Sequence, residues 1–319
     1  MRNTRVAIWL IVIASIARLA LAAFIPLFPD ETYYWEWSRH LAAGYFDHPP
    51  AVALLIRAGT AIFGITPLGV RFGAVLAGAI ASFAIVVTSQ RLGLYGDTPH
   101  ADTASGIFDD PGARAALLML VIPAALVGFV IATPDAPLLA AVALTLAALE
   151  RAIASPTRSR SSLGWWCAAG VTLGIAFCSK YTSVLIPAGV LIALLSHRDL
   201  RARLAEPGPY AATLIALLVL APNLTWNANN HWISFAFQLR HGLGQTHGSV
   251  VGRELDLLGG QLGLISPIIA ALAAMMVARA LRTTLDARRF MLAVIATTVV
   301  VFFGVSAVRR PVEPNWPIP

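Results

Sequence analysis

IWLIVIASIARLALAAFIPLFPDETYYWEWS, residues 8 to 38, decides the fold. From Ile8 to Phe28 this stretch carries one charge, Arg18. At 1.5 Å per residue a helix of that length reaches across a hydrocarbon core of ~30 Å. Pro29 then stops the span, and Asp30 and Glu31 open an acidic, aromatic run with helical spacing, Asp30 with Tyr34 on one face and Glu31 with Trp35 on the next. Further apolar stretches follow at 71–88, 115–133, 134–149, 210–224, 262–277 and 290–308. With 58% apolar and 12% charged residues and a mean hydropathy of +0.74, the composition is far from that of a soluble domain, whose charged share is near a quarter. The reading is an all-α polytopic membrane protein. A secreted, disordered or cytosolic chain is excluded, and an outer-membrane barrel would show alternating segments of ~10 residues. The first segment is not read as a signal peptide, because it holds Arg18 and ends without a small-residue cleavage site.

The charges suggest a topology. With an inner N-terminus, nine spans alternate at 6–28, 68–90, 113–132, 134–153, 163–179, 181–197, 209–224, 256–279 and 290–308. Fourteen arginines then fall on the cytoplasmic side and eight basic residues outside, in the sense of the positive-inside rule. The basic excess, net +7, thus reads as topology and not as affinity for nucleic acid. Cys167 and Cys178 lie within one apolar stretch and read as packing residues. The two long outer segments, 29–67 and 225–255, gather the aromatic, acidic, histidine and asparagine residues, so any chemistry faces outward. No internal repeat and no soluble domain interrupt a single membrane domain over 1–319.

Interfacial aromatic belts account for Tyr34, Trp35 and Trp37 without any chemistry. They do not account for two adjacent carboxylates at the end of an apolar span, where desolvation makes ionised acids costly. A second acid, Asp135, follows Thr133 and Pro134, in the first turn of a helix that starts on the same side. Lys180, the only lysine, stands between two short spans at the outer mouth of the membrane.

The order Asp30-Glu31, Tyr33-Tyr34-Trp35-x-Trp37-Ser38 and Tyr45-Phe46-Asp47-His48-Pro49-Pro50 resembles the bacterial members of the protein mannosyltransferase and lipid A aminoarabinose transferase superfamily, the C-type (GT-C) membrane glycosyltransferases. Thr133-Pro134-Asp135, Ser179-Lys180-Tyr181-Thr182, Asn223-Leu-Thr-Trp-Asn227, Trp232-x-Ser234-Phe235 and Glu313-Pro314-Asn315-Trp316-Pro317 extend the likeness along the chain. The resemblance implies a GT-C helix bundle with outward-facing juxtamembrane helices in the first outer loop. It implies transfer of a sugar from a polyprenyl-phosphate donor to lipid A, polysaccharide or protein at the outer, periplasmic face of the bacterial inner membrane. Further spans are expected beyond the last block, so the chain reads as C-terminally incomplete.

On that resemblance Asp30 is the expected general base, with Glu31 and Asp135 as catalytic partners and inversion at the anomeric carbon. Lys180, His48 and Arg18 are the expected donor-phosphate ligands, although His48 stands where the aminoarabinose branch has lysine. Tyr34, Tyr45, Asp47, Asn227 and Trp232 are the expected substrate contacts, indoles and amides being suited to sugar rings and hydroxyls. The chemistry requires no cofactor. Asp47 with His231 and His241 offers ligand types for a divalent cation, without tight spacing. The competing class is a transporter or lipid-linked sugar flippase, because intramembrane charges also mark transport paths. Against it, the acids gather at one face.

Overall fold

The computed structural model describes residues 2–93, 110–243, 249–283, 286–313 and 315–317. Among them every regular element is helical. α1 (Arg2–Phe24) is the first span, and a short linker brings the chain to α2 (Pro29–Arg39), with proline in its first turn, where its missing N–H costs nothing. α3 (Ala51–Phe63) turns at Gly64 into the long α4 (Pro67–Leu92), whose N-cap Thr66 accepts from the Gly69 amide. α5 (Pro111–Val121) and α6 (Pro123–Gly128) precede α7 (Asp135–Ala154) and α8 (Arg160–Phe177). Then come α9 (Leu185–Ser196), α10 (Arg198–Arg201), α11 (Pro207–Asn229) and α12 (Ile233–Leu243), and finally α13 (Val250–Ile265), α14 (Pro267–Thr283) and α15 (Ala287–Arg309).

Five helices, α1, α4, α7, α11 and α15, are long and apolar enough to cross a membrane, and the count rises to seven if two sharply bent helix pairs are each one span. Of the nine expected spans, 6–28, 68–90, 134–153, 209–224 and 290–308 correspond to these five helices, 163–179 falls on α8, which is not among them, 181–197 belongs to one of the bent pairs, and the other two are broken. The stretch 113–132 is not one helix, because Pro123 lacks the N–H that would continue α5 and the chain restarts as α6. The stretch 256–279 is bent by 99° between α13 and α14, where Ser266 takes a positive φ of 81° before Pro267. Each break has a proline at its far side, and the apolar run in the sequence conceals it.

Packing proceeds through small residues. α7 packs on both α4 and α8, and α8 lies along α11. Gly170 and Gly174, one turn apart on α8, allow that last approach: a Cβ on Gly170 would stand 2.5 Å from the Ala212 carbonyl oxygen. Two helices in lipid gain from such close backbone contact in the way of a G-x-x-x-G pair. The main core joins Leu138, Leu149, Trp166, Ile186, Leu200, Met291 and Phe303 from α7, α8, α9, α10 and α15.

The polar groups sort to the two ends of the bundle. At one end Glu150, wholly buried, receives Arg91 at 2.6 Å and Arg288 at 3.1 Å, tying α4, α7 and α15 together. Nearby Arg203 donates to the carbonyls of Ile153 and Ser155, and pairs with Glu206. At the other end lie residues 28–50, 132–135, 178–181, 223–238, 310–313, 315 and 316, which build the site.

Candidate active site

Glu31 and Asp30 are neighbours with opposite surroundings. Glu31 is fully buried and takes Arg71 in two bonds, Nε to Oε1 at 2.7 Å and Nη2 to Oε2 at 2.5 Å. It also accepts the Phe28 amide at 2.9 Å, closing the N-terminus of α2, and the Ala132 amide at 3.0 Å from the turn before α7. Arg71 gives its remaining N–H groups to the carbonyls of Ala22, Ile25 and Pro26. All five donors of the guanidinium are therefore used, so this pair is a rivet joining α1, α2, α4 and α7. Glu31, expected as a catalytic partner, is thus committed to the frame. Asp30 in the same helical turn is exposed and has no protein partner among the described residues.

Asp135 opens α7 and meets Lys180, whose Nζ donates to Oδ1 at 2.7 Å, while Asn315 Nδ2 donates to Oδ2 at 2.9 Å. Lys180 is 8% exposed, and two of its three donors remain without a protein partner among the described residues. An ammonium held in this way can present its free N–H groups to an anion. Asn315, from the segment after α15, escaped the sequence reading as a site residue, since nothing in a Pro-Asn-Trp block says which helix end it will touch.

Between these groups runs the 40–50 loop. Gly44 passes so close to α11 that a Cβ would lie 2.5 Å from the Trp226 ring, and Asn223 Nδ2 donates to the Ala43 carbonyl at 2.8 Å. Ala51 N–H reaches the Cys178 carbonyl at 2.9 Å, Ser234 Oγ donates to the Tyr45 carbonyl, and Gln238 Nε2 to that of Asp47 at 2.6 Å. α8, α11 and α12 therefore set the loop's path, and with it the position of His48. Burial and the nearby Lys180 charge hold the His48 imidazole at about 4, against a smaller opposing pull from Asp135. At neutral pH His48 is uncharged, so it can donate a hydrogen bond to a phosphate but adds no positive charge. Its Nδ1 is buried without a hydrogen-bond partner among the described residues.

Tyr34 links the parts. Its ring is buried, stands 6.0 Å edge-on from His48, and its phenol is pushed above its usual range by burial and then by Asp47, Asp30 and Asp135. The three acids thus converge on one aromatic side chain. Asp47 is raised above the ordinary carboxylate range, chiefly by burial, and accepts from the Tyr33 hydroxyl at 3.3 Å. Tyr33 in turn is pushed up to about 12 by burial and then by this carboxylate.

Other expected site residues are placed elsewhere. Arg18 touches neither Lys180 nor His48, and packs against α5 and α6 through the carbonyls of Met119 and Ala125. Tyr45 is buried, stacked on Trp37 at 4.3 Å, with its hydroxyl spent on backbone groups at Trp37, His40 and Ala42, so it shapes the loop. Asn227 is buried against Asn223 and the Tyr181 hydroxyl inside the α11 packing. Trp232 is about half exposed, beside Phe235. His231 is exposed, with a positive φ, and the His241 side chain lies outside the described residues. Among the described residues no three His, Cys, Asp or Glu side chains gather as metal ligands.

The sequence and the fold have known counterparts. A family model described as dolichyl-phosphate-mannose-protein mannosyltransferase matches residues 102–226. Lipid A galacturonosyltransferase RgtD of Rhizobium johnstonii is 28% identical over 296 residues, covering 91% of this chain and 57% of that protein. The chain thus spans little more than half the length of this curated relative. Among solved structures, ArnT from Cupriavidus metallidurans bound to undecaprenyl phosphate superposes with a TM-score of 0.74 at 22% identity, over 97% of this chain and 56% of that one. The protein O-mannosyltransferase Pmt1-Pmt2 complex of S. cerevisiae, bound to the sugar donor, gives a TM-score of 0.53 at 17% identity over 75% of this chain and 33% of that one. The fold is that of the C-type membrane glycosyltransferases. Part of the chain thus matches the mannosyltransferase family model, and nearly all of it shares the fold of ArnT.

Proposed function

We propose that the protein moves a sugar from a polyprenyl-phosphate donor onto an envelope acceptor at the outer face of the bacterial inner membrane, with inversion. The carrying observation is the division of labour in one helical turn: Glu31 is consumed by Arg71, and Asp30, unpaired, shares the Tyr34 neighbourhood with the Asp135–Lys180 pair. The names of the relatives, a lipid A galacturonosyltransferase and structures holding undecaprenyl phosphate or a sugar donor, support the same chemistry.

In this reading Asp30 takes the proton of the acceptor hydroxyl as its oxygen bonds to the anomeric carbon. The bond from that carbon to the phosphate oxygen breaks, and the phosphate departs with the electron pair. General-base help of this kind contributes ~10²–10⁴-fold. The free donors of Lys180 and a neutral His48 steady the leaving phosphate, a charge that an interface poor in water stabilises strongly when donors are fixed in advance. Asp135, held by Lys180 and Asn315, orients that ammonium. Tyr34, Asp47 and Trp232 line the approach for the sugar.

Proteoliposomes containing the purified protein, a prenyl-phosphate-sugar donor and a lipid acceptor test the proposal against transport. Sugar covalently joined to the acceptor supports it; movement of intact donor between leaflets without transfer overturns it. Mass spectrometry of lipid A, polysaccharide and envelope proteins from a deletion strain identifies the acceptor and whether the sugar is a hexose, hexuronic acid or pentose.

A further inference from the structure

Arg18 lies within the apolar length of α1, is 6% exposed, and has no carboxylate partner among the described residues. Its Nη2 donates to the carbonyls of Met119 at 3.4 Å and Ala125 at 3.3 Å, and its guanidinium sits 5.4 Å from the Phe129 ring centre. The first contact follows from the broken span: Pro123 has no N–H to give Met119, so that carbonyl needs another donor. Both carbonyls take the same nitrogen, Nη2. Nε and Nη1 have no protein partner among the described residues.

Arg18 lines a cleft of about 540 Å³ between α1 and the α5–α6 break, together with Ala14, Leu21, Leu126, Val130 and Ile131. It follows α1 from Ala14 to Ile25, a rise of ~16 Å, or about half the hydrocarbon core. Leu21, Leu126 and Val127 at its mouth are 52%, 46% and 56% exposed, so the cleft opens sideways on the surface that faces lipid. Arg71 also reaches its wall, but that guanidinium is spent on Glu31 and three carbonyls.

We propose that this cleft binds an acidic membrane phospholipid, with one acyl chain against the apolar wall and the phosphate drawn onto Nε and Nη1 of Arg18. An uncompensated arginine within the apolar length of a span is costly. The guanidinium fork matches phosphate oxygens in paired hydrogen bonds, and the side chain can extend towards the interface to meet them. Carbonyls and an aromatic face alone leave the net charge standing, and an anionic lipid cancels it.

Native mass spectrometry of the full chain, delipidated in detergent and titrated with phosphatidylglycerol or zwitterionic phosphatidylcholine, tests this without any transfer assay. Its failure is therefore separable from failure of the proposed sugar transfer. The expected result is phosphatidylglycerol binding at least tenfold tighter than phosphatidylcholine, lost in Arg18→Gln and partly kept in Arg18→Lys. Leu126→Trp, which fills the cleft and leaves Arg18 in place, should also weaken phosphatidylglycerol binding tenfold. If Arg18→Gln does not fold because Met119 loses its donor, the Leu126→Trp result decides. Equal binding of the two lipids to the unmodified protein, or a preference untouched by Leu126→Trp, overturns the proposal.

Discussion

Replacing Glu31 by Gln should unfold the end of the bundle that carries the site, whereas Asp30→Asn, one residue away, should leave it standing. Glu31 and Arg71 are both 0% exposed, and the guanidinium has no water to fall back on. Two unit charges ~4 Å apart interact with about 4 kcal/mol at an effective dielectric near 20. The amide keeps one acceptor and loses the charge, so Arg71 is left ionised in the interior, and the amide N–H₂ now points at a guanidinium that can only donate. Breaking one partner of a buried pair costs about 3–5 kcal/mol. At roughly 2–4 °C per kcal/mol the Glu31→Gln protein should melt on the order of 10 °C lower. Thermal unfolding of both variants in the same detergent measures this directly. A Glu31→Gln Tm within a degree or two of the unmodified protein, with transfer abolished, would refute the assignment of Glu31 to the frame and return it to the chemistry.

Asp30→Asn itself should keep Tm and expression and retain less than about a tenth of the transfer rate, given the usual general-base contribution; a purified variant with more activity than that removes Asp30 from the role. Lys180→Ala should weaken prenyl-phosphate-sugar binding by about 1.5–3 kcal/mol, the range for hydrogen bonds to charged groups, with acceptor affinity little changed, and equal donor titrations for the two proteins would assign Lys180 to holding Asp135 alone. His48 is lowered from 6.5 to about 4 in the folded chain, so its contribution to stability is complete above pH 6.5 and is lost as the pH falls from there towards 4, at about 1.4 kcal/mol per unit. His48→Gln should flatten that part of the stability profile, and an unchanged acid limb would contradict the buried neutral imidazole. For the topology, cysteine placed at exposed Asp199 should label only from the cytoplasm and cysteine at Asp30 only from the periplasm; the reverse pattern would turn the site inward.

The helical membrane fold was legible because apolar length is a one-dimensional property. Ile8 to Phe28 needs no partner to be recognised, and α1, α4, α7, α11 and α15 emerge close to the limits their sequences suggest. What the apolar run could not reveal is where it bends. Ser266-Pro267 and Ile122-Pro123 each lie inside stretches hydrophobic enough to pass as single spans, and proline is tolerated in lipid wherever neighbours satisfy the freed carbonyl. At Pro123 the neighbour is Arg18, 101 residues before the Met119 carbonyl it reaches and visible as such only in the fold. Likewise the arginines counted for topology at the inner end are also pairing groups, Arg91 and Arg288 closing on a buried Glu150 that no motif announced.

At the site, sequence located the right neighbourhood and divided its residues imperfectly, for one physical reason. Residue type tells what a side chain can do, and burial decides whether it is free to do it. Asp30 and Glu31 are interchangeable on paper. Rotated by one helical step, one faces water and the other faces Arg71 across α4, forty positions on. Asn227, Tyr45 and Arg18 were plausible donor or sugar ligands by chemistry, yet Tyr45 spends its hydroxyl on backbone groups, Asn227 turns Nδ2 to Tyr181 and Asn223, and Arg18 packs at α5 and α6 with Nη2 on two carbonyls. Lys180 shows the intermediate case: an ammonium anchored through one proton by Asp135, whose own second oxygen is fixed by Asn315, keeps its other two protons in a set direction. That arrangement costs little reorganisation when an anion arrives, which is what a site must offer if charge is to develop on a departing phosphate. It also sets a condition on specificity. The cation is shared with Asp135 and His48 is neutral, so in the proposed reaction the described residues offer a departing phosphate less net positive charge than a lysine in place of His48 would give, and the proposal requires the acceptor to come close enough to Asp30 for its proton to leave as the bond to the sugar forms.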